Sequence, residues 1–259
     1  MISSNSNGQV KNVVQLQKKA RARTEQGVFV VEGLKMFLEA PKDRLVSVFV
    51  SQSFYEKEVH KEYIKGVKFE IVEDRVFDFM SDTKTPQGIL CIVRQFQYSL
   101  KDMIQKENPF LLILEDLQDP GNVGTIVRTG EGAGLDGVIL SQNSVDIYNP
   151  KTIRATMGSI YRIPIIYIEK MEDILDELAS QNITTYAAHL QGKLDYDEED
   201  YRSGTAFFIG NESKGLSTEL AKKADVWIKI PMEGKVESLN AAIASSVLMY
   251  EVHKQRKVV

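Results

Sequence analysis

The fold turns on the stretch Phe110-Leu111-Leu112-Ile113-Leu114-Glu115-Asp116-Leu117-Gln118-Asp119-Pro120-Gly121-Asn122-Val123-Gly124-Thr125-Ile126-Val127-Arg128-Thr129. Its opening apolar run suits a strand buried on both faces, as parallel strands covered by helices are. The Asp-Pro-Gly-Asn loop then turns the chain, and a helix is expected to start near Asn122. Asn122 therefore falls at the carboxyl edge of a sheet, where open α/β sheets bind their ligands. Arg128 follows almost two helical turns later. An N-cap and a surface arginine would account for the two residues separately; their conjunction is harder to explain by packing.

Working outward, residues 137–140, 161–167, 184–189, 205–209 and 225–230 are further short apolar runs, with helical segments between most of them. This predicts a parallel-sheet α/β domain over residues 109–259. Residues 98–109 are mainly polar and end in Glu107-Asn108-Pro109, so 99–108 reads as a linker. Upstream, a basic amphipathic helix is expected over 9–23 and strands near 27–31, 45–50, 68–72 and 88–93. Helical patterns at 34–39, 54–65 and 75–80 lie between those strands, giving a small α/β domain over 1–98. The acidic run 195–200 reads as a solvated loop or a helix start.

With 259 residues, 43% hydrophobic and 26% charged, the composition is that of a globular protein with room for two cores. No apolar run approaches the ~20 residues that span a bilayer, so membrane insertion is not expected. The start MISSNSNGQVKN lacks the basic, apolar and cleavage regions of a secretory signal, which predicts a cytoplasmic protein. The one cysteine, Cys91, sits in an apolar run and reads as a core residue. His60, His189 and His253 stand at no metal-ligand spacing, and no metal is expected. A net charge of -4 excludes a uniformly basic surface, yet residues 1–23 carry Lys11, Lys18, Lys19, Arg21 and Arg23 with no acid. Those five are candidate phosphate ligands; taken alone, such a run also suits a solvated helix face.

Gly132-Ala133-Gly134-Leu135-Asp136-Gly137 matches G-x-G-x-x-G, but it closes a helix and leads into a strand, the reverse of a dinucleotide fingerprint. No phosphate-loop motif occurs, so a nucleotide-binding dehydrogenase and a nucleotide hydrolase both lack footing. Two other stretches carry more. In Phe207-Phe208-Ile209-Gly210-Asn211-Glu212-Ser213-Lys214-Gly215-Leu216 an apolar strand opens into a glycine that permits close backbone approach, followed by a carboxylate expected in the first turn of a helix starting near Ser213. In Ile228-Lys229-Ile230-Pro231-Met232-Glu233-Gly234-Lys235-Val236-Glu237-Ser238-Leu239-Asn240 a strand stops at proline, and Ser238 is expected to cap a helix carrying Ala242, Ile243, Ser246, Val247 and Tyr250 on one face. That stripe reads as core or subunit contact.

Together the three stretches resemble the signature motifs of the SpoU (TrmH-like) class of SPOUT RNA methyltransferases: N-x-G-x-x-x-R, then G-N-E-x-x-G, then I-P-M-x-G-x-x-x-S-L-N, in that order. Tyr148-Asn149-Pro150-Lys151 and Arg154-Ala155-Thr156-Met157-Gly158-Ser159 also look like family sequence. Lys18-Lys19-Ala20-Arg21, Phe29-Val30-Val31-Glu32-Gly33 and Thr85-Pro86-Gln87-Gly88 are similar to the RNA-substrate domain many members carry.

The resemblance implies an α/β fold with a C-terminal trefoil-knotted parallel sheet, preceded by the small RNA-substrate-binding domain. It implies S-adenosylmethionine as cofactor, held around Gly210, Ile230, Met232 and Leu239, and methyl transfer to a ribose 2′-hydroxyl of RNA. Ribosomal RNA follows from family habit, with a transfer RNA enzyme or a non-catalytic RNA-binding module as alternatives. Arg128 would stand at the hydroxyl, with Asn122, Glu212, Ser238 and Asn240 orienting the groups around it. A guanidinium has a pKa above ~12 and stays charged, so stabilising the developing alkoxide suits Arg128 better than accepting its proton. The family also pairs its C-terminal helices into a homodimer beside the active site, and residues 238–253 carry the matching small-residue stripe.

Overall fold

The structure is a computed structural model that describes residues 1–236 and 238–257. Glu237 of the third motif and the last two residues of the expected C-terminal domain lie outside the described residues. The chain forms two compact units, one of residues 1–96 with 146–161, the other of residues 97–145 with those from 162 onward.

In the first unit α1 (Gly8–Lys18) is capped by the Asn7 side chain and buries Val10, Val13 and Leu16. It stops short of the expected Arg23, because Lys19 is extended, with φ −126° and ψ 113°, and α2 (Ala20–Gln26) starts anew. There follow β1 (Val28–Glu32), α3 (Leu34–Glu39), β2 (Leu45–Ser51), α4 (Gln52–Glu56), α5 (Glu58–Tyr63), β3 (Glu70–Val72), α6 (Asp74–Met80) and β4 (Ile89–Arg94). The sheet order is β1-β4-β2-β3. β4 runs antiparallel to both neighbours, and its apolar run is central and buried, Cys91 included. Burial alone pushes the Cys91 thiol up, as befits a core cysteine.

The second unit takes in the whole of the expected linker 99–108. Ser99 and Asp102 form a capping box at α7 (Leu100–Ile104), and Leu100, Met103 and Ile104 enter the core of this unit. Next come β5 (Phe110–Leu114), α8 (Pro120–Ala133) and β6 (Gly137–Ser141). The glycine-rich turn behaves as read: Gly134 closes α8 in the left-handed conformation, φ 85°, and Gly137 opens β6. Residues 146–161, expected within the C-terminal domain, belong to the first unit. They include α9 (Pro150–Thr156), capped by Asn149, and the Tyr161 hydroxyl donates to Met36 O at 2.9 Å. The strand expected over 161–167 is thereby shortened.

Back in the second unit are β7 (Ile165–Ile168), α10 (Leu175–Ser180), β8 (Thr184–Ala188), β9 (Leu194–Asp195), β10 (Thr205–Ile209), α11 (Thr218–Lys223), β11 (Val226–Lys229) and α12 (Ala241–Lys257). Seven parallel strands run in the order β7-β6-β5-β10-β8-β11-β9. β5 and β10 pair from Phe110↔Thr205 to Leu114↔Ile209, and both are buried throughout, which explains their unbroken apolar runs. The chain leaves β5 toward β6 on one side, while β10 flanks it on the other. The carboxyl ends of β5 and β10 therefore form a topological switch point.

Candidate active site

Two loops leave the switch point and are tied to each other. After β10 the Asn211 side chain donates to Asp116 O at 2.6 Å and accepts from the amides of Ser213 and Lys214. Gly215, at φ 70°, returns its amide to Asn211 O at 2.9 Å. Ser217 donates its amide and hydroxyl to the Glu115 carboxylate at 2.7 and 2.6 Å. The loop is so tight that a Cβ on Gly210 would stand 1.9 Å from Leu216 N. The close approach that requires glycine here comes from the chain itself. Sequence reasoning passed over Asn211, Glu115 and Ser217; the Gly-Asn pair after a strand is the turn signal that marks Asn211.

Glu212 lies in this loop and not in a helix, since α11 begins only at Thr218 under a Ser217 cap. Its carboxylate accepts from the amides of Gln118 and Asp119, at 3.3 and 3.2 Å, and from Asn122 Nδ2 at 3.0 Å. Asn122 Oδ1 in turn accepts from Asn240 Nδ2 at 3.0 Å. Three residues from three distant motifs therefore form one hydrogen-bonded row. Partial burial pushes the Glu212 carboxyl up, but the bonds from Asn122 and from backbone amides outweigh it and hold the group below its ordinary value. Asn240 also caps α12 by accepting from the amides of Ala242 and Ile243, the role expected of Ser238. The helix starts at Ala241, so Ser238 is left in the loop.

Beside the row lies a pocket of about 330 Å³ lined by Gly210, Ile230, Met232, Ser238 and Leu239, together with Glu212. All four residues expected to hold a cofactor thus meet on one cavity. Its volume falls in the range of about 300–1,000 Å³ usual for ligand sites. Ile209, Leu216, Ala241 and Ala244 add apolar wall. Its lining mixes those apolar residues with the polar Asn211, Ser213 and Lys214 of the loop after β10, the mostly apolar wall with a few polar groups usual for a small-molecule site. Among the described residues no group of three or more His, Cys, Asp or Glu side chains is arranged to hold a metal ion.

Arg128 stands apart from this row. It is exposed on α8 and, among the described residues, makes no hydrogen bond or ion pair. Six residues of helix place it ~9 Å along the axis from Asn122 and ~120° around it. In the first unit Lys11, Lys18 and Lys19 are exposed and likewise unpaired, and Arg21 makes only an exposed i,i+4 pair with Glu25. Arg23 corrects the expectation. Its side chain is 4% exposed and spends four of its five N–H donors on Asp146, Leu16 O and Gln17 O, so it is not the exposed phosphate ligand expected.

The SpoU rRNA Methylase family model matches residues 109–250, and the model of the MRM3-like substrate binding domain matches residues 7–91. The chain is 30% identical to the 23S rRNA (guanosine(2553)-2'-O)-methyltransferase RlmP of Bacillus subtilis over 97% of its own length and 98% of that protein's. The AdoMet-bound rRNA methyltransferase of Sinorhizobium meliloti is similar over 100% of this chain and 98% of that one, at 32% identity and a TM-score of 0.86. The SpoU methyltransferase AviRb of Streptomyces viridochromogenes superposes over 97% of this chain and 98% of its own, at 25% identity and a TM-score of 0.85.

Proposed function

The chain belongs to the SpoU rRNA methylase family, and on that premise we propose that it transfers a methyl group from S-adenosylmethionine to a ribose 2′-hydroxyl of ribosomal RNA. The observation that carries the reading is the meeting of Gly210, Ile230, Met232, Ser238 and Leu239 on one pocket, directly beside the Glu212-Asn122-Asn240 row. The cofactor supplies an electrophilic sulfonium methyl when bound in that pocket. Everything else falls to the chain's own residues.

Glu212 and Asn240 fix Asn122 by one amide hydrogen and one lone pair, leaving its second hydrogen and second lone pair to orient the ribose. Ser238 offers a hydroxyl at the pocket wall. The Arg128 guanidinium keeps its proton and stabilises alkoxide charge as it develops, while an RNA phosphate or water takes the hydroxyl proton. Exposed Lys11, Lys18, Lys19 and Arg21 hold RNA by its phosphates. The same reading includes a homodimer through α12. Ile243 and Tyr250 are 53% and 51% exposed on one side of that helix, whereas Ala242, Ser245, Leu248, Met249 and Val252 are buried. It also includes the family's trefoil knot, in which the C-terminal segment threads through a loop.

The test is transfer itself. Incubation with labelled S-adenosylmethionine and ribosomal RNA, followed by digestion, is expected to yield labelled 2′-O-methylnucleosides. Label on a base, label only when transfer RNA is supplied, or RNA binding without transfer would each overturn a stated part of the reading.

A further inference from the structure

Arg23 is one of five bases in the N-terminal segment, yet its charge is spent inside the protein. Nη1 donates to Leu16 O at 2.6 Å and to Gln17 O at 3.1 Å, closing the corner where α1 breaks at Lys19. Nε and Nη2 both donate to Asp146 Oδ2, at 2.9 and 2.6 Å. Asp146 is fixed in turn: its Oδ1 accepts from the Tyr148 amide at 2.8 Å, and the Tyr148 ring packs 4.7 Å from that of Phe29.

One peptide bond earlier the chain is in the second unit and touches the candidate active site. The Val145 amide donates to Leu117 O at 2.8 Å, and Gln118 Nε2 donates to Asn143 O at 2.6 Å. The amides of Gln118 and Asp119 are those that hold the Glu212 carboxylate. The peptide bond between Val145 and Asp146 is thus the link between the Arg23 corner and the loop that orients Glu212 and Asn122.

We propose that Arg23 and Asp146 are positioning residues for methyl transfer, conveying engagement of RNA at the α1–α2 corner to the active-site loop 115–119. The inference rests on the function proposed above. With Arg23 buried and Asp146 half-buried, the pair contributes little stability compared with apolar residues of similar size and offsets its desolvation only in good geometry. That suits a joint better than a staple. Lys18 and Lys19, exposed and without a side-chain partner among the described residues, stand at the break that Arg23 closes, so phosphates bound there act on the corner directly.

The test uses the full chain with Arg23→Lys, which keeps the charge but cannot reach all three acceptors at once. Asp146→Asn, which keeps the acceptor for the Tyr148 amide, is the second variant and carries the test should the first fail to melt cooperatively. Hydrogen exchange is followed in segments 115–122 and 143–149 with and without ribosomal RNA, beside single-turnover transfer at saturating RNA. RNA is expected to slow exchange of 115–122 in the wild type, and either substitution is expected to abolish that response. Transfer should slow between tenfold and ~10²-fold, the scale of a slightly misplaced site, with cofactor affinity and the salt dependence of RNA binding unchanged. A wild-type exchange response in both variants, or none in the wild type, overturns the proposal. So does a flatter salt dependence in Arg23→Lys, which would make Arg23 a phosphate ligand after all. Failure of the wild type to transfer methyl would sink the proposed function instead, while the exchange measurement, which needs no turnover, still decides the coupling.

Discussion

Replacing Gly210 by alanine perturbs the candidate site at its most crowded point. The added Cβ would lie 1.9 Å from Leu216 N, 2.1 Å from Gly215 C and 2.3 Å from Leu216 Cα. Carbon atoms in contact sit about 3.5–4.0 Å apart, so the main chain at 215–216 must move by roughly 1.5 Å. All three neighbours are backbone and cannot swing aside as a side chain would. That backbone is pinned by the Gly215 amide on Asn211 O and by Ser217 on Glu115. Overpacking of this kind costs ~1–3 kcal/mol, and loss of one hydrogen bond adds about 1 kcal/mol, giving ~2–4 kcal/mol of destabilisation. Because the displaced segment walls the pocket, S-adenosylmethionine affinity should fall as well, and with it the ~2.7 kcal/mol of stabilisation expected at 100-fold excess over Kd. Urea denaturation with and without cofactor reads both quantities. Gly132→Ala is the control, since its Cβ meets only the Tyr250 hydroxyl, at 3.5 Å, and alanine inside a helix should stabilise by ~0.5–1 kcal/mol. A Gly210→Ala protein with the wild-type midpoint and wild-type cofactor affinity would refute the reasoning.

Arg128→Ala should leave stability within ~0.5 kcal/mol of wild type, because the side chain bonds to nothing among the described residues, while single-turnover transfer falls ~10²–10³-fold; a wild-type rate would remove Arg128 from the mechanism. Because the folded pKa of Glu212 is lowered, its contribution to stability is complete above the ordinary value of 4.5 and is lost as pH falls through the lower folded value. In Glu212→Gln that part of the acid dependence should vanish from melts taken between neutral and acidic pH, together with most of the transfer activity, and an unaltered acid limb would count against the row. Replacing Lys18 and Lys19 by alanine should flatten the salt dependence of RNA binding by up to ~0.9 log unit per contact on duplex RNA, by analogy with DNA, and an unchanged slope would return both to a solvated helix face. Light scattering at micromolar concentration should report a dimer of the 29.2 kDa chain, and Tyr250→Glu on the exposed stripe should shift it to monomer.

Much of the C-terminal unit was legible without coordinates. The inner strands β5, β6 and β10 are buried throughout, so β5 and β10 appear as unbroken apolar runs that no amphipathic pattern obscures. Turn chemistry is also local, which is why the G-x-G-x-x-G match could be dismissed on its neighbours alone. Errors fell where a short segment is decided by distant partners. Leu100–Ile104 reads as polar linker because only Leu100, Met103 and Ile104 touch the core, and the helix ending at Lys18 could not be told from one running to Arg23.

For the site, the resemblance of the motifs to the SpoU class named the residues that meet on the pocket, Gly210, Ile230, Met232 and Leu239. It could not say what each side chain does there. That Asn240, and not Ser238, caps α12 depends on where the helix starts. That Glu212 holds Asn122 depends on β5 and β10 being neighbours, although the Glu212 and Asn122 positions lie 90 residues apart. Arg23 makes the point most sharply. Charge and spacing along the chain describe a basic helix facing solvent, but only the packed structure brings Asp146, 123 residues away, against it and turns a surface charge into a buried joint.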